Sequence, residues 1–370
     1  MRVLHIFNEL KFSGAEIMYV NAAPFFQKHG IEMIALSTGE KIGDFLPQFK
    51  AENIEVHYMK LLINEANPFV LIRYFREFYQ FVKCNNIDVI HIHRSKHFWF
   101  FSLIGYLTGK RIIRTVHNVF KNRKVTWLKA YLERMTARKI FKVTYQSIGK
   151  SVYDNELYYY KNNSTIVNNW YDDKRFYKQS SDFERDEIKN KLKLKDTNYI
   201  VISTGGCSHV KNHHDIIRAL AIVNKKIDCT YVHLGEGVTT NEEITLAKQL
   251  GVNSKILFLG NKLNVRDYLI ASDLYLMPSR FEGLGNAAIE AMACRKPSIL
   301  YDVVGLKDLI NNNNNGFLIS ESHLELADKI LYLYHNKEIS FKMASNAEKF
   351  VKETFTIEKG VNGILTLYKS

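Results

Sequence analysis

Short apolar runs recur along the chain, separated by longer stretches whose apolar positions follow helical spacing. In the first half, Val3–Phe7, Met33–Ser37, Glu55–Met59, Asp88–His93, Arg111–Val116, Thr144–Ile148 and Ser164–Val167 predict strands. Helices are predicted over Ala15 to about His29 and near Pro68–Asn85. The alternation restarts at Tyr199–Ser203 and continues through Thr230–Leu234, Lys255–Leu259, Asp273–Met277 and Ser298–Tyr301. Its helices are expected over Phe183–Leu192, Asn212–Asn224, Asn286–Cys294, Leu324–Tyr334 and Ser340–Phe350, with a last one over Ile357–Tyr368. Apolar strands that alternate with helices are the pattern of parallel sheets covered on both faces, an α/β class. Such sheets bind ligands beyond the carboxyl ends of their strands. From Tyr171 to Thr197 the sequence turns charged and poor in strand signals, which places a boundary between a domain of residues 1–175 and one of residues 176–354.

Length agrees with this division, since 370 residues exceed what one core usually supports. Cys84, Cys207, Cys229 and Cys294 are scattered without close pairing, so neither a zinc knuckle nor a disulfide framework is indicated, and a reducing, cytosolic setting fits. The N-terminus has too short an apolar run for a signal peptide and reads as a strand. The longest membrane-like run, Phe98–Leu107, is about half of what a spanning helix needs. Charge changes the picture more. Of the net +13, the first 175 residues hold 26 Lys+Arg against 15 Asp+Glu, and the remainder is nearly balanced. Much of the excess lies in Lys121–Lys142, where basic residues interleave with Trp127, Leu128, Tyr131, Leu132, Met135, Ile140 and Phe141. That pattern fits a helix packed on a core with a solvated face, or a helix lying on an anionic membrane surface. Nucleic acid is a poorer fit, because the basic run is confined to one helix and no recognised motif accompanies it. Asn311–Asn315, closed by Gly316, reads as a surface turn.

Candidate chemistry concentrates in Leu276–Pro297 (LMPSRFEGLGNAAIEAMACRKP). A buried strand end, a glycine turn at Gly283 and Gly285, and a helix start present backbone N–H groups and a positive dipole end, which suits an anion. Glu282 and Glu290 flank that site, where carboxylates serve hydroxyl groups better than phosphate. A nucleotide sugar, with ribose on one side and hexose on the other, has this layout. Gly205-Gly206 and Lys211 form a second glycine turn before a helix, and a lysine at a helix start opposes the dipole unless an anion is bound. His93 and His117 sit at strand ends and fit either a structural role or contact with substrate.

With these residues placed, the sequence resembles the retaining glycosyltransferases of family 4 (glycosyl transferases group 1), which have the GT-B fold of two facing Rossmann-like domains with an interdomain cleft. The resemblance covers almost the whole chain. It rests most specifically on the two glutamates of SRFEGLGNAAIEAMACRKP, supported by GGCSHVKN at Gly205–Asn212, Gly235-Glu236-Gly237 and Phe258-Leu259-Gly260. In the first half, Ser13-Gly14-Ala15-Glu16, His91-Ile92-His93, Arg114-Thr115-Val116-His117 and Ile166-Val167-Asn168-Asn169 fall in the family's order.

The resemblance implies a hexosyltransferase-type enzyme that is retaining and metal-independent, with no cofactor and no metal ligands. It implies catalytic roles for His117, Glu282 and Lys211. Donor contacts are implied for Gly14, Gly206, His209, Lys211, Gly235, Lys262, Gly283, Leu284, Gly285 and Glu290. Glu290 would hold the ribose hydroxyls, Glu282 the transferred sugar, and Lys211 the leaving diphosphate. Where the family commonly has a phosphate-clamping arginine this chain has Gly206, and His209 is one candidate substitute. The final helix, about 355–370, is expected to pack back on the first domain. The expected partners are a nucleotide sugar, UDP-linked by preference, a glycan or polyprenyl-diphosphate-linked acceptor, and an anionic membrane surface at the inner face of the bacterial cell envelope. Nucleic acid is not expected. Two other readings stay open: a nucleotide-sugar 2-epimerase of the same fold, and a non-catalytic sugar-nucleotide-binding partner subunit.

Overall fold

Two parallel sheets carry the chain, one in each of two units. The computed structural model describes residues 1–61, 68–119, 124–194 and 199–369. One unit comprises Met1–Trp170 together with Ile357–Ser370, and the other Tyr171–Thr356. The boundary thus falls a few residues before the expected 175/176, because Tyr171 already pairs with the returning chain. Its N–H donates to Phe355 O at 3.0 Å, and Tyr171 and Thr356 form a parallel bridge.

The first unit has strands β1 (Arg2–Phe7), β2 (Glu32–Ser37), β3 (Glu55–Tyr58), β4 (Val89–Ile92), β5 (Arg111–Val116), β6 (Thr144–Ser147) and β7 (Thr165–Ile166). Their order in the sheet is β3-β2-β1-β4-β5-β6-β7, all parallel. Around them lie α1 (Gly14–Lys28), α2 (Leu46–Ala51), α3 (Pro68–Cys84), α4 (Phe98–Leu107), α5 (Lys124–Lys139) and α6 (Lys150–Asp154), which continues as a π-helical turn over Asn155–Tyr159. The second unit has α7 (Asp182–Lys191), β8 (Tyr199–Thr204), α8 (His213–Val223), β9 (Cys229–Leu234), α9 (Thr240–Gln249), β10 (Ile256–Phe258) and α10 (Val265–Ala271). It continues with β11 (Leu274–Met277), α11 (Asn286–Ala293), β12 (Ser298–Tyr301), β13 (Phe317–Ile319), α12 (His323–His335) and α13 (Lys337–Thr354). Its sheet runs β10-β9-β8-β11-β12-β13. The last helix, α14 (Ile357–Lys369), belongs to the first unit.

Each sheet has one topological switch point, β1/β4 in the first and β8/β11 in the second, where crossovers leave in opposite directions and a crevice opens at the strand ends. The apolar face of α14 explains its place. Val361, Ile364, Leu365, Leu367 and Tyr368 share a buried cluster with Val3, Phe7, Tyr19, Phe26 and Trp170. Gly360 is required there, since a Cβ on it would stand 2.0 Å from the Trp170 ring.

The basic helix is less uniform than its composition. Residues 121–123 lie outside the described residues, and Arg134 is buried rather than solvated. Its guanidinium grips the Glu156 carboxylate through Nε at 2.9 Å and Nη2 at 3.0 Å, with both side chains at most 5% exposed. Leu128, Leu132 and Ile140 meanwhile stand exposed. The asparagine run also departs from a plain surface turn. Asn315 is buried, and its side chain accepts from Asn311 N–H and donates to Leu309 O.

Candidate functional site

Two glycine loops meet at the ends of β8 and β9, beside the switch point of the second sheet. Gly205, with φ 140°, ends β8 and donates its N–H to Leu234 O, while Gly235 donates to Gly260 O. The Gly205 and Gly235 turns press so closely that a Cβ on Gly235 would stand 2.0 Å from Gly205 O. Glycine is therefore dictated there by backbone contact as well as by its φ of 145°. Beyond β8 the chain reaches Asn212, a left-handed residue at φ 54° that caps α8. The Asn212 amide donates to Asp215 Oδ2 and Pro278 O, and Arg280 N–H donates to Val210 O, so the loops after β8 and β11 are tied together.

Across that crevice Lys211 Nζ donates to Glu282 Oε1 at 2.6 Å, with the side chains 27% and 14% exposed. The anion expected beside the lysine is thus supplied within the protein by Glu282. After Glu282 the chain turns through Gly283 and Leu284 to Gly285, whose φ of 80° caps α11. Leu284 is buried, so that residue offers a ligand only its backbone. Glu290 lies in the second turn of α11, half-buried. Burial pushes its carboxyl up to about 7, against the Arg175 guanidinium, which lowers it. Arg175 and Asp172 come from the charged stretch at the start of this unit and bear on Glu290 without a motif to announce them. His209 is exposed and its ring faces Glu242 of α9 at 4.0 Å, and Lys262 lies on the exposed loop after Gly260.

In the first unit, Gly14 opens α1 behind Ser13, whose hydroxyl bonds the Glu16 carboxylate. His117 follows β5 and is the outer member of a buried chain of polar groups. His117 Nε2 lies 3.2 Å from His93 Nδ1, and His93 Nε2 lies 2.9 Å from His5 Nδ1. His5 Nε2 meets Tyr368 OH at 3.4 Å, which meets His91 Nδ1 at 2.7 Å. His91 Nε2 meets Thr115 Oγ1 at 2.7 Å, Thr115 donates to Gln146 Oε1, and Gln146 Nε2 donates to Val167 O. The carbonyl at the far end is acceptor-only, and this orients every proton along the chain. Gln146 must present its oxygen to Thr115, so His91 donates from Nε2 and accepts from Tyr368 at Nδ1. His5 then donates from Nε2 and His93 from Nε2, and His117 donates from Nε2 and carries its lone pair on Nδ1. Burial lowers His117 to about 4, with the Arg114 guanidinium adding to it, and lowers His5 to about 3, so the chain stays neutral at physiological pH.

One further group is assembled by the fold alone. Cys207, His213, His233 and Glu243 are all buried, and their donor atoms lie within 4.8 Å of one another.

The model of the family described as Glycosyl transferases group 1 matches residues 184–350, and that of Glycosyltransferase Family 4 matches residues 12–147. The chain is 29% identical over 203 residues to N-acetyl-alpha-D-glucosaminyl L-malate synthase of Bacillus anthracis, a match over 55% of this chain and 52% of that protein. It is 24% identical to the UDP-Gal:alpha-D-GlcNAc-diphosphoundecaprenol alpha-1,3-galactosyltransferase of Escherichia coli, over 78% of this chain and 77% of that protein. The chain therefore spans about half the length of the first of these relatives and about three quarters of the second. Among solved structures, Anabaena HepE in complex with UDP and glucose superposes with a TM-score of 0.85 at 18% identity, covering both chains completely. A glycosyltransferase from Rickettsia africae gives 0.85 at 20% identity, over 100% of this chain and 97% of that one. These likenesses identify the two-unit architecture as GT-B.

Proposed function

The chain belongs to glycosyltransferase family 4, and from that premise we propose that it moves a hexose or N-acetylhexosamine from a nucleotide-diphosphate sugar to a lipid-linked or growing surface-polysaccharide glycan. The observation that carries this reading is the 2.6 Å Lys211–Glu282 pair at the β8/β11 switch point, set between the glycine turns that precede α8 and α11. As the bond from the anomeric carbon to the diphosphate oxygen breaks, negative charge grows on the leaving group. Lys211 and the N-terminal N–H groups of α11 neutralise it, which is where electrostatic catalysis is most effective. Glu282 then serves the sugar beside the reacting carbon, and Glu290 accepts hydrogen bonds from the ribose hydroxyls. For His117 the family pattern implies a contact to the transferred sugar, made through a ring nitrogen whose protonation the buried chain sets. Transfer with retention places the acceptor hydroxyl on the face the diphosphate leaves, its proton passing to a donor phosphate oxygen. The proposed reaction requires no protein nucleophile and no catalytic metal.

A UDP-sugar is the donor favoured here, supported by the UDP complexes of HepE and by the UDP-galactose named for the Escherichia coli relative. Named acceptors among the relatives include diphosphoundecaprenol-linked sugars, which supports a lipid-linked acceptor and a peripheral position on the inner face of the cell membrane. Among the described residues no helix is long and apolar enough to cross a membrane. Exposed Leu128, Leu132 and Ile140 beside exposed Lys129 and Lys139 suit attachment to an anionic surface. Equal sedimentation with anionic and neutral vesicles at low salt would refute that attachment.

The test of the reaction is consumption of a panel of nucleotide sugars, followed by mass spectrometry. Lys211→Ala and Glu282→Ala should each lower turnover by about 10²–10³ while the protein remains folded. Unchanged turnover in both variants overturns the assignment, and conversion of donor alone to an epimer would move the protein to the 2-epimerase reading.

A further inference from the structure

The most demanding unexplained feature lies beneath the Lys211 loop. Cys207 follows the Gly205-Gly206 turn, His213 begins α8, His233 is the fifth residue of β9, and Glu243 sits on α9. Cys207 Sγ stands 3.2 Å from His233 Nε2, and His213 Nδ1 stands 3.4 Å from Glu243 Oε1. Two of these polar atoms have no hydrogen-bond partner although fully enclosed, His213 Nδ1 and Glu243 Oε2, on side chains 3% and 0% exposed. An orphaned buried polar atom costs about 1–3 kcal/mol, so two that face each other within one four-residue cluster call for a shared partner.

We propose that Cys207, His213, His233 and Glu243 bind a structural zinc ion, which fastens the Lys211-bearing loop to β9 and α9. One sulfur, two imidazole nitrogens and one carboxylate oxygen form a donor set natural to zinc, and four protein ligands with no open position make a closed, structural site. Zinc–ligand lengths of about 2.0–2.3 Å imply tetrahedral edges of roughly 3.3–3.7 Å. The Cys207–His233 and His213–Glu243 edges are already near that range, and all four donor atoms lie within 4.8 Å of one another. Charge agrees as well. A thiolate and a carboxylate balance a divalent cation, and binding releases the thiol proton. The outer hydrogen bonds are in place, with His233 Nδ1 at 2.9 Å from Ser203 Oγ and 3.1 Å from Tyr231 OH, and Thr239 donating to Glu243 Oε1 at 2.8 Å. Such bonds to the far nitrogen of a metal-binding histidine fix its tautomer with Nε2 facing the ion. Cys207 and His213 bracket Lys211 in sequence, so the ion would hold both ends of the segment that carries the ammonium group.

The experiment is elemental analysis of the untagged full chain purified without chelator, followed by cobalt substitution. About one zinc per chain is expected, with Cys207→Ser and His233→Ala losing most of it and Cys294→Ser, a buried cysteine outside the cluster, keeping it. Cobalt in the wild-type protein should give the intense visible bands of a tetrahedral site and a thiolate charge-transfer band that Cys207→Ser abolishes. Zinc should raise the melting temperature of the chelator-stripped wild type and leave that of Cys207→Ser unmoved. The proposal is overturned if the stripped wild type takes up neither zinc nor cobalt at tens of micromolar. A cobalt spectrum without a sulfur band also overturns it, and needs no variant to fold. These readouts are independent of sugar transfer, so loss of one conclusion leaves the other standing.

Discussion

Glu290 offers the sharpest test of the donor site, because its protonation is predicted to change on ligand binding. Its carboxyl is pushed from the ordinary 4.5 up to about 7 by burial. The folded protein therefore holds a proton that the unfolded chain releases, and stability falls as pH rises from about 4.5 to about 7. At about 1.4 kcal/mol per pH unit the full displacement corresponds to roughly 3 kcal/mol. Water reaching the half-buried group reduces this to about 1–3 kcal/mol. A ribose with two adjacent hydroxyls donates hydrogen bonds to the ionised carboxylate and lowers its pKa again. Nucleoside binding must then expel a proton wherever the free protein is protonated.

Uridine is the suitable probe, since it carries no phosphate whose own titration would confuse the result. Its affinity for the wild type should rise with pH, by at most tenfold per pH unit, and level off above about 7. Calorimetry in two buffers of different ionisation enthalpy should show proton release at pH 6 and little at pH 8. Glu290→Gln should bind more weakly at pH 8, with an affinity that is flat across pH 5–8, and the protection factors of α11 against hydrogen exchange should lose their pH dependence in this variant. A flat wild-type profile, or the same slope in Glu290→Gln, refutes the placement of ribose on Glu290.

Three other outcomes follow from the geometry. Glu156→Leu leaves the Arg134 guanidinium buried without its carboxylate and should destabilise the first unit by about 3–5 kcal/mol, with Arg134→Met added to it recovering part of the loss, as read by thermal melting. Truncation after Thr356 removes six buried apolar side chains of α14, each contributing about 1.5–3 kcal/mol, a total comparable to a whole domain's stability, so tryptophan fluorescence should report an unfolded first unit. Nitrogen-15 spectra should show His117 as the Nε2–H tautomer, unprotonated down to pH 5, and Tyr368→Phe, which removes the hydroxyl linking His5 to His91, should mix the tautomers at His117 while leaving α14 packed.

What the chain disclosed before its structure, and what it withheld, divides along the range of the interactions. Gly205, Gly235 and Gly285 could be read as turns because glycine's role is set within a few residues, and Glu282 and Glu290 could be placed because one helix start positions both. Their partners were another matter. That Lys211 reaches Glu282 depends on β8 lying beside β11, a neighbour relation that only the strand order creates. Arg134 looked like one more surface cation in a basic run, since nothing nearby in sequence reveals that Glu156 waits on a π-helical turn. The histidine chain shows in the sequence only as His91-Ile92-His93 and the strand-end His117, with no hint that β1 sets His5 beside His91 or that Tyr368 enters from a helix 277 positions away. Cys207 has no second cysteine near it in the sequence. Its companions are two histidines and a glutamate from α8, β9 and α9, brought together by two successive crossovers rather than by spacing. Local periodicity thus locates the ends of strands where chemistry happens, whereas the groups that set protonation and hold loops are fixed by the order in which those strands are laid side by side. The Lys211–Glu282 contact is of the second kind, since it forms where β8 and β11 lie side by side at the switch point.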